Sequence, residues 1–216
     1  MHARRVYRSI VVFSAAFVVF VCIVVSVEHG GTLTSVDVSV GEWLHAHGLH
    51  SLTKVMLGIS FLGAPSTLTA VAAVICVVLA RNHSYDRLLV VLILVLGGNV
   101  INYGLKILLQ RGRPVFDDPL LILPSYSFPS GHAMASTVFY GFVIGGVLLD
   151  RHRWQGAAIV GGTLMIALVG FSRAYLGVHY LSDVAAGVVE AVAWSTLVIA
   201  VWRATYSSPP QTGPRR

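Results

Sequence analysis

The 216-residue chain has few charged residues, and this scarcity excludes several classes of protein. Charged residues make up 11% of the sequence, whereas a soluble domain usually carries about 25%. Hydrophobic residues make up 56%, and so few charges could not cover the surface of a soluble fold of this size. The composition argues against a soluble enzyme, a disordered protein and a nucleic-acid-binding protein. It predicts an integral membrane protein.

Cysteine is also scarce. The two cysteines, Cys22 and Cys76, both lie inside apolar runs, which excludes a disulfide framework and says nothing about the redox compartment. The formal charge of +6 comes from basic residues scattered in small clusters between apolar runs. In a membrane protein such clusters indicate topology before they indicate a polyanionic partner.

Long apolar runs dominate what is present. A bilayer core about 30 Å thick needs roughly 17–25 apolar residues for each spanning helix. Six runs meet or approach that length, and the second is interrupted by Gly63 and Pro65. The runs are 9–27, 57–80, 88–109, 133–149, 156–171 and 184–202. We therefore predict an all-α, six-helix membrane bundle forming one domain over residues 1–206, with a disordered cytoplasmic tail at 207–216.

The first apolar run follows three arginines, Arg4, Arg5 and Arg8, a pattern that also occurs in signal peptides. The run is long for a signal peptide, and no A-x-A-like cleavage site follows it. We expect a retained helix.

Basic residues near the helix ends predict the orientation. With the N-terminus in the cytoplasm, the inner side carries ten basic residues and the outer side five. The inner residues are Arg4, Arg5, Arg8, Arg81, Arg87, Arg151, Arg153, Arg203, Arg215 and Arg216, and the outer ones are Lys54, Lys106, Arg111, Arg113 and Arg173. Both termini are expected in the cytoplasm.

Residues 32–53, between the first two spans, have two open interpretations. Apolar and aromatic residues recur there at helical spacing: Val36, Val40, Trp43, Leu44 and His47. Trp43 suits the headgroup level of a bilayer, which favours a helix lying on the outer interface. The alternative is an ordinary loop.

The first polar motif ends the third span and reads KILLQRGRP, from Lys106 to Pro114. Lys106 and Arg113 are separated by nearly two helical turns, so both cations can face the same way if the helix persists. Gly112 and Pro114 would then stop it. The alternative is a pair of snorkelling cations at a helix end.

The second motif is FPSGH, residues 128–132, directly before the fourth span. A Pro-Ser-Gly turn that opens a helix exposes backbone N–H groups, which bind anions together with the helix dipole. Ser130 can cap this helix and also donate its hydroxyl to a bound oxyanion, with His132 in reach of the same anion. The alternative is a plain helix cap with an incidental histidine.

The third motif, SRAYLGVHYLSD, covers residues 172–183. His179 and Asp183 share a face at spacing i, i+4 if the sixth helix starts early. A carboxylate in that place can hold one ring nitrogen protonated and leave the other as a nucleophile. The alternative is a structural His–Asp pair at a helix end.

The three motifs gain weight together, because the predicted topology places all of them at the extracytoplasmic membrane surface. They supply the cations Lys106, Arg113 and Arg173, two histidines, one carboxylate and a helix N-terminus. Cations and backbone donors are what a transferring phosphoryl group requires. The same cations would repel a divalent ion, so the residues predict a phosphate pocket that uses no metal and no cofactor.

The ordered triplet K-x6-R-P, P-S-G-H and S-R-x5-H-x3-D resembles the three-part signature of the type 2 phosphatidic acid phosphatase superfamily. The spacings fit without a gap, and the resemblance extends over the six-span layout, roughly residues 8–202. It implies a six-helix bundle that dephosphorylates lipid phosphates without metal. Vanadium haloperoxidases share the signature and bind vanadate there, but they are large soluble proteins, so this chain resembles the lipid branch.

The resemblance also implies a role for each motif residue. His179 would attack phosphorus and form a phosphohistidine, while Asp183 orients the imidazole. His132 would protonate the departing oxygen and then activate water. The residues expected to bind the substrate phosphate are Lys106, Arg113, Ser130, Gly131 and Arg173.

Similar proteins act on undecaprenyl diphosphate, phosphatidylglycerophosphate or phosphatidic acid. An outward-facing site in a bacterial inner membrane favours undecaprenyl diphosphate, because this carrier lipid is recycled on the outer face, a step of cell wall biogenesis. A lipid phosphotransferase would use the same residues with a second lipid as acceptor. The expected partners are the lipid phosphate and membrane lipids, with no nucleic acid and no obligate protein partner.

An anion transporter is the alternative from a different class, since polar residues within the membrane often line a pathway. The candidates are Asn99, Asn102, Tyr103 and Glu190. Transporters usually show paired broken helices or repeats, and neither is visible in the sequence. For Glu190 we expect a carboxyl that faces the bundle and is hydrogen-bonded to a neighbour.

Overall fold

The computed structural model describes residues 2–149 and 152–206, which form eight helices and no strand. The helices are α1 His2–Glu28, α2 Thr32–His47, α3 His50–Leu62, α4 Pro65–Arg81, α5 Tyr85–Leu109, α6 Gly131–Leu148, α7 Gln155–Tyr175 and α8 Leu181–Tyr206. The all-α class is confirmed. The tail at 207–216, predicted to be disordered, and Arg151 of the orientation count lie outside the described residues.

Five of these helices, α1, α5, α6, α7 and α8, are long and apolar enough to cross a membrane. Helices α3 and α4 bend by 42° relative to each other, and they supply a sixth span if they cross as one broken element. The break falls where the sequence predicts it, at Gly63 and Pro65. Pro65 is the first residue of α4, a position where the missing N–H has no helical partner to lose. The count of six spans stays a prediction.

The central helix of the bundle is α6, the most deeply buried of the candidate spans. It packs its valines, including Val138 and Val143, against α5 and α8. Helix α5 widens into a π-helical turn at Ile93–Gly97, where the Leu94 carbonyl accepts the indole N–H of Trp194 at 3.1 Å. Helix α1 packs along α8. These contacts fix α5, α6 and α8 side by side, and these three helices carry four of the eight predicted site residues, Lys106, Gly131, His132 and Asp183.

Residues 32–47 form a helix, so the helical interpretation of this segment is confirmed and the loop is wrong. Helix α2 packs against α7 and α8 through a face that buries Asp37 and Leu44. Most of the predicted apolar stripe points away from this face, with Val36 and Trp43 both exposed. Residues 50–53 belong to α3 and not to this segment. The position of α2 at a membrane surface stays a prediction.

Candidate active site

A long connection between α5 and α6, residues 110–130, carries the first motif across one end of the bundle. Gln110 has a left-handed backbone with φ of 46°, and this conformation ends α5. Arg113 therefore lies in the connection, so the helix does not persist to it, which was the condition for both cations to face the same way along one helix. Lys106 and Arg113 meet nevertheless, because both donate to the carbonyl of Tyr126, at 2.9 and 3.2 Å.

The Arg113 guanidinium ties this connection to the turn that precedes α8. Its Nε donates to the Ser125 carbonyl at 2.7 Å, and its Nη1 donates to the Val178 carbonyl at 2.5 Å. Burial lowers the pKa of Arg113, and the negative charge of Asp183 opposes that shift. An arginine stays charged despite such a shift, so a cation is held beside the third motif.

His179 lies in the turn between α7 and α8, and Asp183 lies in the first turn of α8. The Nδ1 atom of His179 is 3.3 Å from Oδ2 of Asp183, so the predicted pair forms even though His179 precedes the helix. Oδ2 also accepts hydrogen bonds from the Ser127 hydroxyl and from the Tyr180 backbone N–H, the latter at 2.9 Å. Such donors favour an ionised carboxylate and fix its orientation.

The surroundings of His179 favour a neutral imidazole. Burial lowers the pKa of His179 from 6.5 to about 4, although the Asp183 carboxylate acts in the opposite direction. The hydrogen-bond partners assign the proton to Nδ1, which leaves the lone pair on Nε2. The Nη1 atom of Arg113 lies 3.4 Å from Nε2. A neutral ring with a free nitrogen beside a cation is suited to attack on phosphorus.

Two buried polar groups at this end have unused hydrogen-bonding capacity among the described residues. Arg173 of α7 donates to the Ser60 hydroxyl on α3, but its Nε has no partner in the described chain. Ser130 is the N-cap residue of α6, yet its hydroxyl makes no capping bond, so the expected side-chain cap is wrong. The Ser130 hydroxyl is likewise without a partner within the described ranges. Buried polar groups are rarely unpaired, and both of these groups can donate to an oxyanion.

The N-terminus of α6 completes the cluster. Gly131 is buried, and a Cβ atom there would come 3.1 Å from Oδ1 of Asn102, tighter than ordinary contact. Glycine thus keeps this turn close to α5. His132 follows it, half-buried, close enough to the site cations and to the other histidine for their charges to affect its ring. These partners are Arg173, His179, Arg113 and Lys106.

The second and third motifs are joined through their backbones. The N–H of Ser130 donates to the Asp183 carbonyl at 2.9 Å. Gly187, one turn further along α8, lies against the carbonyl oxygen of Ser130, so closely that a Cβ atom would overlap that oxygen. The structure therefore brings all eight predicted site residues to one end of the bundle: Lys106, Arg113, Ser130, Gly131, His132, Arg173, His179 and Asp183.

Sequence reasoning missed three residues that hold this cluster together: Arg111, Asp37 and Ser127. Arg111 contributes only to the orientation count above, yet it pairs with both Asp37 and Asp183. The sequence contains a signal for Arg111 and another for Asp37. Arg111 is a further cation inside the first motif, and Asp37 is a charge among the valines of an amphipathic segment, which needs a partner once buried. Nothing in the sequence marks Ser127.

Three of the intramembrane polar residues form hydrogen bonds of their own, although Oε1 of Glu190 has no partner among the described residues. Asn102 donates to Oε2 of Glu190 at 2.8 Å, which confirms the expectation of a hydrogen-bonded, bundle-facing carboxyl. Asn99 donates to the Thr69 hydroxyl at 3.1 Å, and Tyr103 is largely exposed. Within residues 2–149 and 152–206, no group of three or more His, Cys, Asp or Glu side chains is arranged to hold a metal ion. The donors that converge at the site suit an anion.

Comparison with known proteins identifies the family. A model of the PAP2 superfamily matches residues 86–206. Over 175 residues the chain is 33% identical to phosphatidylglycerophosphatase B of Bacillus subtilis (strain 168), covering 78% of this chain and 84% of that protein. The chain belongs to the PAP2 superfamily. It also resembles the crystal structure of a transmembrane PAP2 type phosphatidylglycerolphosphate phosphatase from Bacillus subtilis, with a TM-score of 0.78. That match has 28% identity and covers 86% of this chain and 93% of the other.

Membership of the PAP2 superfamily confirms the predicted resemblance and the enzyme class. The chain is a membrane lipid phosphatase, a hydrolase of lipid phosphates. Its polar intramembrane residues therefore belong to an enzyme and not to an anion transporter. The roles of single residues, the substrate and the side of the membrane on which the PAP2 site opens are treated below as proposals.

Proposed function

We propose that the chain hydrolyses a lipid phosphate without metal, through a phosphohistidine intermediate. Nε2 of His179 attacks phosphorus, and the bond from phosphorus to the lipid oxygen breaks. Asp183 orients the ring and stabilises the positive charge that develops on it. The observation that carries the proposal is that the two ring nitrogens of His179 have different neighbours. The Asp183 carboxylate lies at Nδ1, and the Arg113 guanidinium lies beside Nε2.

His132 is proposed as the acid and base of the two steps. It donates a proton to the departing lipid oxygen, and it then takes a proton from the water that attacks the phosphohistidine. The second attack breaks the phosphorus–nitrogen bond and releases inorganic phosphate. Its half-buried position in the first turn of α6, at the end of the bundle where His179 also lies, supports this assignment.

Three cations and the start of α6 are proposed to bind the phosphoryl oxygens. Lys106, Arg113 and Arg173 neutralise the charge that spreads over the equatorial oxygens in the transition state. The Ser130 hydroxyl and the Gly131 N–H add neutral donors. The unpartnered Arg173 Nε and Ser130 hydroxyl among the described residues support this assignment, since an oxyanion would satisfy both.

Phosphatidylglycerophosphate is the proposed substrate. The relative and the solved structure are both named as phosphatases of this lipid, and both cover more than three quarters of the chain. Undecaprenyl diphosphate, expected from the outward orientation, becomes the competing candidate, and phosphatidic acid is a third. All three present a terminal phosphate at the headgroup level, so the same cations serve each of them.

A panel of these three lipids, presented to detergent-purified protein at equal mole fraction, tests the proposal by release of inorganic phosphate. Phosphatidylglycerophosphate should give the highest kcat/KM. His179→Ala should abolish release, and His29→Ala, an exposed histidine at the end of α1, should not. Faster turnover of undecaprenyl diphosphate would refute the proposed substrate, and undiminished release by His179→Ala would refute the nucleophile. Transfer of labelled phosphate to a second lipid without phosphate release would instead identify a phosphotransferase.

We further propose that residues 1–206 form a six-span domain in the inner membrane of a bacterium, with both termini in the cytoplasm and the site outside. Single cysteines at Asp117 and at His152, in a background without Cys22 and Cys76, test this orientation in intact cells. A membrane-impermeant thiol reagent should label position 117 and spare position 152. The reverse labelling would refute the orientation while leaving the chemistry untouched.

A further inference from the structure

One guanidinium lies between two buried carboxylates beside the proposed nucleophile. Nη1 of Arg111 is 2.5 Å from Oδ1 of Asp183, and Nη2 is 2.9 Å from Oδ2 of Asp37. Both carboxylate side chains are inaccessible to solvent, and Arg111 is nearly so. The proposed mechanism uses Asp183 alone of these three residues, so Asp37 and Arg111 form a buried pair without a stated function.

Hydrogen bonds from Ser182, in addition to the ion pair with Arg111, fix the position of the Asp37 carboxylate. Oδ1 accepts the backbone N–H of Ser182 at 2.9 Å, and Oδ2 accepts the Ser182 hydroxyl. Asp37 thus binds the residue immediately before Asp183, from a different helix. The Arg111 guanidinium is also stacked over the Tyr180 ring, with its carbon 4.4 Å from the ring centroid. Tyr180 and Ser182 lie between His179 and Asp183, the proposed catalytic dyad, in the sequence, so these contacts hold the start of α8 in place.

We propose that Asp37 and Arg111 are positioning residues for the catalytic dyad, through which α2 sets the position and the effective charge of Asp183. Neither residue needs to touch the substrate, since Asp183 lies between Arg111 and the His179 ring. The inference rests on the proposed nucleophilic role of His179. It extends the site to a helix that carries none of the three sequence motifs.

The charges explain why two carboxylates are needed. A guanidinium paired with Asp183 alone would neutralise it and weaken its support of a positive charge on His179. Asp37 shares the guanidinium with Asp183. Asp183 is therefore held in its orientation while the guanidinium neutralises its negative charge only in part. Removing Asp37 and removing Arg111 should therefore act on His179 in opposite directions.

Asp37→Asn is the first test, because the amide preserves shape and can still accept the Ser182 N–H. We expect kcat for phosphatidylglycerophosphate to fall by about tenfold or more, the scale of a lost charge-assisted hydrogen bond, with KM changed less than about threefold. Asp117→Asn is the matched control, since Asp117 is exposed on the connection between α5 and α6. Equal kcat for Asp37→Asn and the wild-type enzyme would overturn the inference.

The pH profile distinguishes positioning from a general loss of structure. The acid limb of kcat/KM should move to lower pH in Asp37→Asn and to higher pH in Arg111→Gln. The other groups that face His179, which are Arg113, Arg173 and His132, are the same in both variants. If the acid limbs of the two variants moved in the same direction, or if neither moved, the proposal would be overturned.

A double variant tests whether Asp37 acts through Arg111. Asp37→Asn combined with Arg111→Gln should be no slower than Arg111→Gln alone, because the charge of Asp37 acts on Asp183 through Arg111 and the asparagine still accepts the Ser182 N–H. Losses that multiply would overturn the inference. If Arg111→Gln does not fold, Arg111→Lys takes its place, since lysine keeps the charge and loses the fork. A wild-type enzyme that releases no phosphate from any of the three lipids would refute the proposed function and this inference with it. An active wild-type enzyme with an equally active Asp37→Asn variant would refute the inference alone.

Discussion

Replacing Gly187 by alanine tests how closely α8 must approach the turn that opens α6. The added Cβ atom would overlap the Ser130 carbonyl oxygen and would lie 3.2 Å from the Met134 nitrogen and 3.3 Å from Cβ of Ala133. Two of these three neighbours are backbone atoms, which cannot rotate away. The overlap with the Ser130 oxygen is about 1 Å inside ordinary van der Waals distance, so the two elements must separate by that order.

The separation should reach the proposed chemistry, because the same contact aligns the second and third motifs. The hydrogen bond from the Ser130 N–H to the Asp183 carbonyl spans this interface. A displacement of about 1 Å between His132 and His179 can cost about 100-fold in rate. Overpacking of this kind typically destabilises a protein by about 1–3 kcal/mol. We therefore expect Gly187→Ala to fold with a lowered Tm and to lose most of its kcat.

The measurement is phosphate release in detergent together with thermal unfolding of the same preparation. Gly161→Ala is the matched control: Gly161 is an exposed helical glycine of α7, and a Cβ atom there meets nothing within 4 Å. This control should keep its activity and its Tm. If Gly187→Ala matched the wild-type enzyme in both kcat and Tm, the close approach of α8 to Ser130 would have no functional importance.

Three further outcomes are expected. Because His179 must be neutral to attack and its pKa is lowered to about 4, kcat/KM should fall only as the pH drops through about 4. A profile from pH 3 to 8 checks this, and an acid limb near 6.5 contradicts it. Arg173→Lys should lower kcat/KM by about 100-fold in the phosphate-release assay, since lysine loses the planar fork; activity within threefold of wild type is the contrary result. Orthovanadate should inhibit competitively as a transition-state mimic, with the rate unchanged by excess chelator. Loss of activity in chelator, restored by magnesium, would overturn the metal-free pocket.

The parts of this protein that could be predicted from sequence are those that depend on local composition and spacing. Bilayer thickness sets the length of an apolar run, so all six predicted runs lie on helices, and the break at Gly63 and Pro65 was visible. The His179–Asp183 pair was predictable because a spacing of four residues keeps two side chains close at the start of a helix. The order and internal spacing of the three motifs predicted the family, and both can be read directly from the sequence.

Predictions that required the path of the chain beyond a helix end were less successful. Lys106 and Arg113 would face the same way along one helix only if that helix persisted, but the left-handed backbone of Gln110 ends α5 first. The two cations meet instead through the carbonyl of Tyr126, twenty residues beyond Lys106. The Ser130 hydroxyl was a candidate cap for α6, yet it makes no capping bond, and the Ser130 backbone N–H donates to the carbonyl of Asp183 on another helix.

Contacts between distant segments were decided by tertiary structure alone. Arg111 and Asp37 are 74 residues apart, and Arg173 and Ser60 are 113 apart. A buried charge requires a partner, and this requirement can be read from the sequence, but the partner's identity depends on which helix packs beside it. Gly187 gives no local signal either, because its importance lies in the Ser130 carbonyl that α8 approaches. Sequence determined the chemical groups of the site, and the packing of α2 and α8 determined which of them hold the others in place.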